Sequence, residues 1–214
     1  MKTQIRHVVW DWNGTLLDDV TASVEAINAV RRVRNMPAIT ELQHRNLFGF
    51  PVRDYYVRLG FDLARENWDM LAAEFHNLYE ESSRTTPLRQ GIREVLHEMQ
   101  VRGIMMSVLS ASNRAILDRM VAERGIRHYF RELHGLSDLF ASSKLDLGRK
   151  LMEQSHIPAA QTLLVGDTVH DYEVAAELGW SCILMAGGHQ AEHRLLACGC
   201  SIIQESPALL SLLV

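Results

Sequence analysis

The sequence has little of what several classes of protein require. It contains three cysteines in 214 residues, too few for a disulfide framework, and their spacing matches no zinc motif. It contains no apolar run of membrane-spanning length, and its N-terminus lacks an apolar segment of the signal-peptide type. We therefore expect a reduced, cytoplasmic protein with no membrane partner.

Positive charge is also scarce, and lysine is the rarest basic residue. The net charge is −4 and the pI is near 6.2, whereas a nucleic-acid surface usually needs a concentrated basic patch. Of the 22 basic residues only Lys2, Lys144 and Lys150 are lysines. We expect no nucleic-acid partner, and each lysine can be weighed individually.

What the sequence does have is the composition of one soluble globular domain with room for an insertion, with 47% apolar and 22% charged residues. A strand-like run at 7–10 precedes a block, 16–86, in which every periodic segment is helical. From Pro87 onward strands and helices alternate. Strands are predicted at 7–10, 104–109, 133–136, 162–165, 182–185 and 202–203. Helices are predicted at 20–34, from 40, before Gly60, and at 66–82, 91–102, 113–124, 145–154, 172–178 and 191–197.

This alternation predicts an α/β fold in which a Rossmann-like parallel sheet of about five main strands carries helices on both faces. Residues 1–15 and 87–214 would form this core domain. Residues 16–86 would form an inserted α-helical domain.

Polar residues follow three of the predicted strands. They are Asp11-Trp12-Asn13-Gly14-Thr15, Ser110-Ala111-Ser112-Asn113 and Gly166-Asp167-Thr168-Val169-His170-Asp171. Open α/β sheets bind ligands at the carboxyl ends of their strands, so these groups should meet. Each also has a structural explanation, because Asp11 suits a turn cap and the serine cluster suits a helix N-cap.

Ligand chemistry is the alternative explanation for the same residues. The serine cluster would offer hydroxyls and free backbone N–H groups to an oxyanion. Asp167 and Asp171, four residues apart, would suit a hard cation such as Mg²⁺. Lys144 on its own would be a solvated residue at the start of a helix.

Taken in order, the Asp-x-x-Gly-Thr motif, the strand-end serine, the lysine and the Gly-Asp-x-x-x-Asp motif resemble the haloacid dehalogenase superfamily over essentially the whole chain. The most similar subgroup is the phosphoglycolate phosphatase-like hydrolases, whose α-helical cap the block 16–86 resembles. The resemblance implies a Mg²⁺-dependent phosphatase acting on a small phosphorylated metabolite through an aspartyl-phosphate. We expect a monomer or weak homodimer.

The resemblance also implies roles for individual residues, with Asp11 as the nucleophile. The implied metal ligands are Asp11, Asp167, Asp171 and the backbone carbonyl of Asn13. The implied phosphate-binding residues are Thr15, Ser110, Ala111, Ser112 and Lys144. Lys144 is preferred to Lys150 because it precedes the helix predicted from 145 and leaves 23 residues, a helix and a strand, before Asp167.

Asn13 departs from the family pattern, in which a second Asp usually protonates the leaving group and then activates water. A side-chain amide has no proton to exchange at neutral pH, and general acid–base help is worth about 10²–10⁴ in rate. Four explanations are open: a good leaving group, a proton from another residue such as His189 or His44, a slow or regulatory protein, or deamidation of Asn13 before Gly14.

Two other functions can be compared with the phosphatase. Phosphonoacetaldehyde hydrolases also lack the second Asp but need a cap lysine, and 16–86 contains none. A catalytically weakened protein that binds a phosphate-like ligand stays open. In the helical block, Arg45 and Arg53 flank Phe48-Gly49-Phe50-Pro51, where a guanidinium would suit a substrate carboxylate.

Overall fold

The computed structural model describes residues 4–136 and 143–213. The strands are β1 His7–Trp10, β2 Met105–Asn113, β3 Glu132–Leu136, β4 Thr162–Gly166, β5 Ser181–Met185 and β6 Ser201–Ile203. The helices are α1 Val20–Val33, α2 Glu41–Leu47, α3 Val52–Arg58, α4 Trp68–Ser82, α5 Ile92–Val101, α6 Arg114–Glu123, α7 Lys144–Ser155, α8 Val169–Leu178, α9 Glu192–Leu196 and α10 Ala208–Leu212. Short 3₁₀ turns occupy Arg127–Tyr129 and Ala159–Gln161.

The strands form one six-stranded parallel sheet in the order β3-β2-β1-β4-β5-β6, which confirms the predicted α/β class. All four residues of β1 are buried, as expected for a central strand covered on both faces. Val8 and Trp10 pack with α5, α6 and α10, whereas Val9 packs with α7 and α8. The alternation of these side chains therefore fixes which helices cover each face.

Three of the boundaries that differ from the predictions concern segments that carry candidate site residues. Strand β2 runs on to Asn113 through a register shift after Leu109, so the serine cluster lies within a bulged strand end. Helix α7 begins at Lys144 because Ser143 and Asp146 form a capping box, so Lys144 is on the helix and not before it. Helix α8 begins at Val169 because Thr168 caps it.

Helices α1 to α4 form the helical block between β1 and α5. They share an apolar cluster of their own, which includes Val24, Ile27, Tyr56 and Leu71. The domain boundaries at 15/16 and 86/87 stay a prediction. None of the helices in the described parts of the chain has the length and apolar character needed to cross a bilayer.

His7, at the start of β1, gives a prediction about acid stability. Its Nε2 lies 3.0 Å from Ser107 Oγ, and its Nδ1 has no hydrogen-bond partner among the described residues. Burial lowers the pKa of His7 to about 4, from 6.5. Between these values the unfolded chain binds a proton that the folded chain does not, so stability falls with falling pH. From pH 7.5 to 5, wild type should lose about 2 kcal/mol more than His7→Gln.

Urea unfolding at the two pH values measures this difference. The glutamine amide keeps a hydrogen-bond partner for Ser107 but cannot titrate. The matched control is His97→Gln, since the His97 side chain is exposed. Equal losses in wild type and His7→Gln would show that His7 is not the acid-sensitive group.

Candidate active site

The register of the central strands brings the predicted site residues together. Trp10 pairs with Val108 of β2 on one side and with Val165 of β4 on the other. Asp11 follows directly, and its backbone N–H donates to the Val165 carbonyl at 2.8 Å. The ends of these three strands therefore place Asp11 between the serine cluster and Asp167, at the edge where parallel sheets bind ligands.

Three buried carboxylates form a compact cluster at this edge. Asp11, Asp167 and Asp171 each place an oxygen within 4.8 Å of the other two. The Lys144 ammonium lies between two of them, in direct contact with Asp11 Oδ1 and 2.5 Å from Asp171 Oδ1. The Thr15 hydroxyl donates to Asp167 Oδ1 at 3.1 Å. Two of the three carboxylates thus share one lysine, and the cluster has an excess of negative charge.

The start of α8 orients two of these carboxylates. Asp171 Oδ2 accepts hydrogen bonds from the backbone N–H groups of Asp167 and Thr168 and from the Thr168 hydroxyl at 2.7 Å. Asp167 Oδ2 accepts from the His189 backbone N–H at 2.6 Å. Gly14 has φ +70°, and a Cβ there would collide with the Asp167 carboxylate. Backbone groups therefore fix this acidic cluster before any ligand arrives.

The pKa shifts follow from burial and from the shared lysine. Burial raises the pKa of Asp11 to about 8, with Lys144 opposing the rise and the other two carboxylates adding to it. For Asp171 burial acts in the same direction, but Lys144 outweighs it and the net pKa is lowered. Burial would lower the pKa of Lys144, but Asp11 and Asp171 raise it, so the ammonium stays charged.

The donor set fits a magnesium ion. It consists of hard carboxylate oxygens, which Mg²⁺ prefers, and their mutual repulsion exceeds what one ammonium can neutralise. The described residues contain this group of three carboxylates close enough to share an ion. The assignment of individual ligands stays a prediction.

The serine cluster lies in the bulged end of β2. The Ser110 hydroxyl is buried and accepts from the Ser112 backbone N–H at 3.0 Å. Ala111 and Ser112 are half-buried. The Ser112 hydroxyl donates to Asn13 Oδ1 at 2.6 Å, which links this strand end to the residue that departs from the family pattern.

Asn13 is held by residues that the sequence did not single out. Its Nδ2 donates to Asp19 Oδ2 at 2.8 Å and to the Tyr79 hydroxyl at 2.7 Å. Tyr79 in turn donates to Asp19 Oδ2 at 2.5 Å, and the Gly14 backbone N–H donates to Asp19 Oδ1 at 2.7 Å. Asp19 is fully buried and accepts from three other residues, so it is the centre of this network.

Two histidines extend the network into the helical block. His189 Nε2 lies 3.2 Å from Asp19 Oδ1, and its Nδ1 lies 2.9 Å from His44 Nε2. Burial lowers the pKa of His44 to about 2. Burial also opposes charge on His189, but Asp19 outweighs it and raises the pKa of His189 to about 9. We call this set the clasp; it consists of Asn13, Asp19, His44, Tyr79 and His189.

The hydrogen bonds of the clasp argue against two of the explanations for Asn13, deamidation and a proton from a nearby histidine. Deamidation requires the Gly14 nitrogen to attack the Asn13 side chain, but both groups are fixed in hydrogen bonds to Asp19. The product would also place a second carboxylate beside the first. A proton from His189 or His44 is equally disfavoured, because the two imidazoles are buried and bonded to each other.

The two arginines of the helical block lie in different settings. Arg45 Nε donates to the Gly188 carbonyl at 3.1 Å, so it reaches the loop that carries His189. Arg53 is exposed, and its guanidinium lies 5.7 Å from the centroid of the Trp68 ring. No described contact links Arg53 to the carboxylate cluster. Recognition of a substrate carboxylate by either residue stays a prediction.

Arg89 is a further residue that the sequence reasoning missed. One arm of its guanidinium donates to the Gly14 carbonyl at 2.8 Å and the other to the Ala186 carbonyl at 2.6 Å. It therefore ties the Asp11 loop to the loop after β5. No local signal marks it, because its two partners lie 75 and 97 residues away.

Comparisons with known proteins agree with this geometry. The family model described as haloacid dehalogenase-like hydrolase matches residues 8–185. A phosphoglycolate phosphatase of Pseudomonas fluorescens is 28% identical, over 95% of this chain and 75% of that protein. A 5'-nucleotidase of Pseudomonas aeruginosa is 27% identical, over 89% and 87%. The solved structure of a haloacid dehalogenase-like hydrolase from Streptococcus pneumoniae superposes with TM-score 0.81 at 18% identity, covering 98% of this chain and 99% of that one.

Proposed function

The chain belongs to the haloacid dehalogenase-like hydrolase family, and on that premise we propose that it is a magnesium-dependent phosphatase that hydrolyses a small phosphorylated metabolite through an aspartyl-phosphate at Asp11. The observation that carries the proposal is the position of Asp11. It directly follows the central strand, touches Lys144 and belongs to a buried cluster of three carboxylates. Relatives named phosphoglycolate phosphatase and 5'-nucleotidase support phosphate-ester chemistry.

The first chemical step is transfer of the phosphoryl group to Asp11. A carboxylate oxygen forms the new bond to phosphorus while the bond to the leaving oxygen breaks, and the electron pair stays on that oxygen. Lys144 and the Ser110 hydroxyl hold the charge on the phosphoryl oxygens, which is the main demand of phosphoryl transfer. Thr15 fixes Asp167 beside them, while Ala111 and Ser112 shape the strand end. Water then cleaves the aspartyl-phosphate, which divides the hydrolysis into two steps.

Magnesium belongs to the same proposal. Asp11, Asp167 and the backbone carbonyl of Asn13 would hold the ion, and Asp171 would ligate it as well or hold its water shell. When bound, Mg²⁺ supplies positive charge to the phosphoryl oxygens.

We assign to residues 16–86 the role of a cap. Its helices contribute His44 and Tyr79 to the clasp, and Arg45 donates to the loop after β5. These contacts join the block to Asn13 and to the loop of His189, whose backbone N–H donates to Asp167, so closure of the block would exclude water during the reaction. Arg45 is the better placed of the two arginines to meet an anionic substrate.

A panel of small phosphate esters and acyl phosphates, assayed with Mg²⁺ and after chelation, tests the proposed function. We expect release of inorganic phosphate from at least one compound, and loss of that release when the chelator removes the ion. Release unchanged by chelation would contradict the magnesium dependence. If no compound is turned over but phosphate-like ligands bind, the protein is a binding or regulatory member of the family.

A further inference from the structure

Asn13 has no hydrogen left to offer a substrate. Its amide group has two N–H donors, and both are committed, one to Asp19 and one to Tyr79. Its oxygen accepts from the Ser112 hydroxyl. An amide is moreover too weak an acid and too weak a base to exchange a proton at neutral pH. The residue at the usual acid–base position is therefore structural in this chain.

The remaining titratable groups of the clasp are committed in the same way. The Tyr79 hydroxyl donates to Asp19, and both imidazole nitrogens of His189 are occupied, by Asp19 and by His44. His44 uses its other nitrogen on the Tyr55 hydroxyl at 2.7 Å. Asp19, His44 and His189 are all buried. Each proton of the network is thus already shared within it.

Lys144 carries the only ammonium among the described site residues, and its hydrogen bonds are also occupied. Lys144 bonds to Asp11 and Asp171 and is itself buried. Releasing one of its protons would leave two carboxylates beside a neutral amine, which the electrostatics of the cluster oppose. Among the residues of the clasp and the carboxylate cluster, then, we find none that is free to protonate a departing alkoxide.

Without a proton donor, the site can cleave efficiently only those phosphates whose leaving group is stable as an anion. Resting on the proposed function, we propose that the site serves phosphates whose leaving group departs as a stable anion, namely acyl or enol phosphates, and discriminates against alkyl phosphates. In the reaction the Asp11–phosphorus bond forms and the bond to the leaving oxygen breaks. The electron pair remains on a carboxylate or enolate, which needs no proton at that moment.

The lack of a free acid or base also affects the second step, hydrolysis of the aspartyl-phosphate. Water must attack the aspartyl-phosphate without a free basic residue to accept its proton. That proton ends on the inorganic phosphate that is released. This step does not involve the leaving group. We therefore expect the aspartyl-phosphate to accumulate, so that kcat is the same for all good substrates while kcat/KM differs.

Two size-matched series test the proposal on the full chain with Mg²⁺. The first is p-nitrophenyl, phenyl and benzyl phosphate, and the second is acetyl and ethyl phosphate, with Asp11→Asn as the blank for spontaneous hydrolysis. We expect kcat/KM to fall by about 10²-fold or more from the most acidic leaving group to the alkyl member of each series, as the loss of general acid catalysis implies. Rapid mixing with p-nitrophenyl phosphate should show a burst of nitrophenol close to one per active site.

The outcomes distinguish failure of the proposed substrate class from failure of the proposed phosphatase activity. Equal kcat/KM for acetyl and ethyl phosphate, or for phenyl and benzyl phosphate, would overturn the substrate class and leave the phosphatase intact. No turnover of any compound above the Asp11→Asn blank would overturn both.

Discussion

Asp11→Asn should lower phosphate release on the order of 10⁴-fold or more, the scale on which removal of a catalytic nucleophile is measured. An amide oxygen cannot take the phosphoryl group from a substrate at a useful rate. The fold should tolerate the change. Asp11 shares one lysine with Asp171, and burial already raises its pKa to about 8, so a neutral side chain relieves repulsion.

Two measurements on the same preparation separate chemistry from folding. Initial rates with acetyl phosphate should fall to background, whereas the urea midpoint should equal or exceed that of wild type. Asp118→Asn is the matched control, because it makes the same substitution at a residue outside the site whose side chain is 43% exposed and pairs with Arg114. A variant that keeps a tenth of the wild-type rate would exclude Asp11 as the nucleophile.

The second large effect concerns the residue that departs from the family pattern. Asn13→Asp alone should not create an efficient general acid. The new carboxylate would lie against Asp19 at the distance now spanned by a 2.8 Å hydrogen bond, and Tyr79 has one proton for both. We expect a loss of about 2 kcal/mol or more in the free energy of unfolding at neutral pH, because two buried acceptors lose their donor.

Exchanging the two residues should remove that conflict. In Asn13→Asp/Asp19→Asn the amide at 19 donates to the carboxylate at 13, Tyr79 turns its hydroxyl to the same carboxylate, and the amide oxygen accepts from Gly14. The net charge is unchanged, and the amide oxygen at 19 can still accept from His189, but the ion pair between Asp19 and His189 is lost. We expect a stability between those of Asn13→Asp and wild type, and a kcat/KM for benzyl phosphate about 10²-fold higher or more, since a titratable acid returns to position 13.

Kinetics and urea unfolding on four proteins test the exchange. Asp19→Asn is the matched control, because it changes position 19 without adding a carboxyl group at 13, and it should not improve benzyl phosphate hydrolysis. Hydrolysis of p-nitrophenyl phosphate should change far less in the double variant. If Asn13→Asp alone equals the double variant in both stability and rate, Asp19 does not oppose a carboxylate there.

The sequence predicts those parts of the site in which the residue and the element that positions it are neighbours in the chain. Asp11 and Asp167 each follow a buried apolar run directly, so the strand that orients them is visible beside them. The bulge that holds Ser110 is not visible, because it depends on the pairing of β2 with β3. The start of α7 at Lys144 did have a local signal, the Ser143-x-x-Asp146 capping box.

The clasp could not be predicted, for a physical reason. An Asp directly before a helix is ordinarily an N-cap, and Asp19 occupies that position in α1 without capping it. Its partners are Tyr79, 60 residues away, and His189, 170 residues away. Tyr79 belongs to the apolar stripe of α4. The helical spacing of that stripe predicts that the ring packs inward, but it does not predict which group the hydroxyl bonds.

The position of β1 has a consequence for how the protein is made. This strand is synthesised before both of its partners in the sheet, because β2 and β4 begin at Met105 and Thr162. At about 5–20 residues per second, the apolar run that carries Asp11 waits on the order of ten to thirty seconds for its second neighbour. Chains stopped before β4 must leave one edge of this strand unpaired, an open template for association with other chains. Chaperone binding early in translation should therefore concentrate on the segment that later holds the nucleophile.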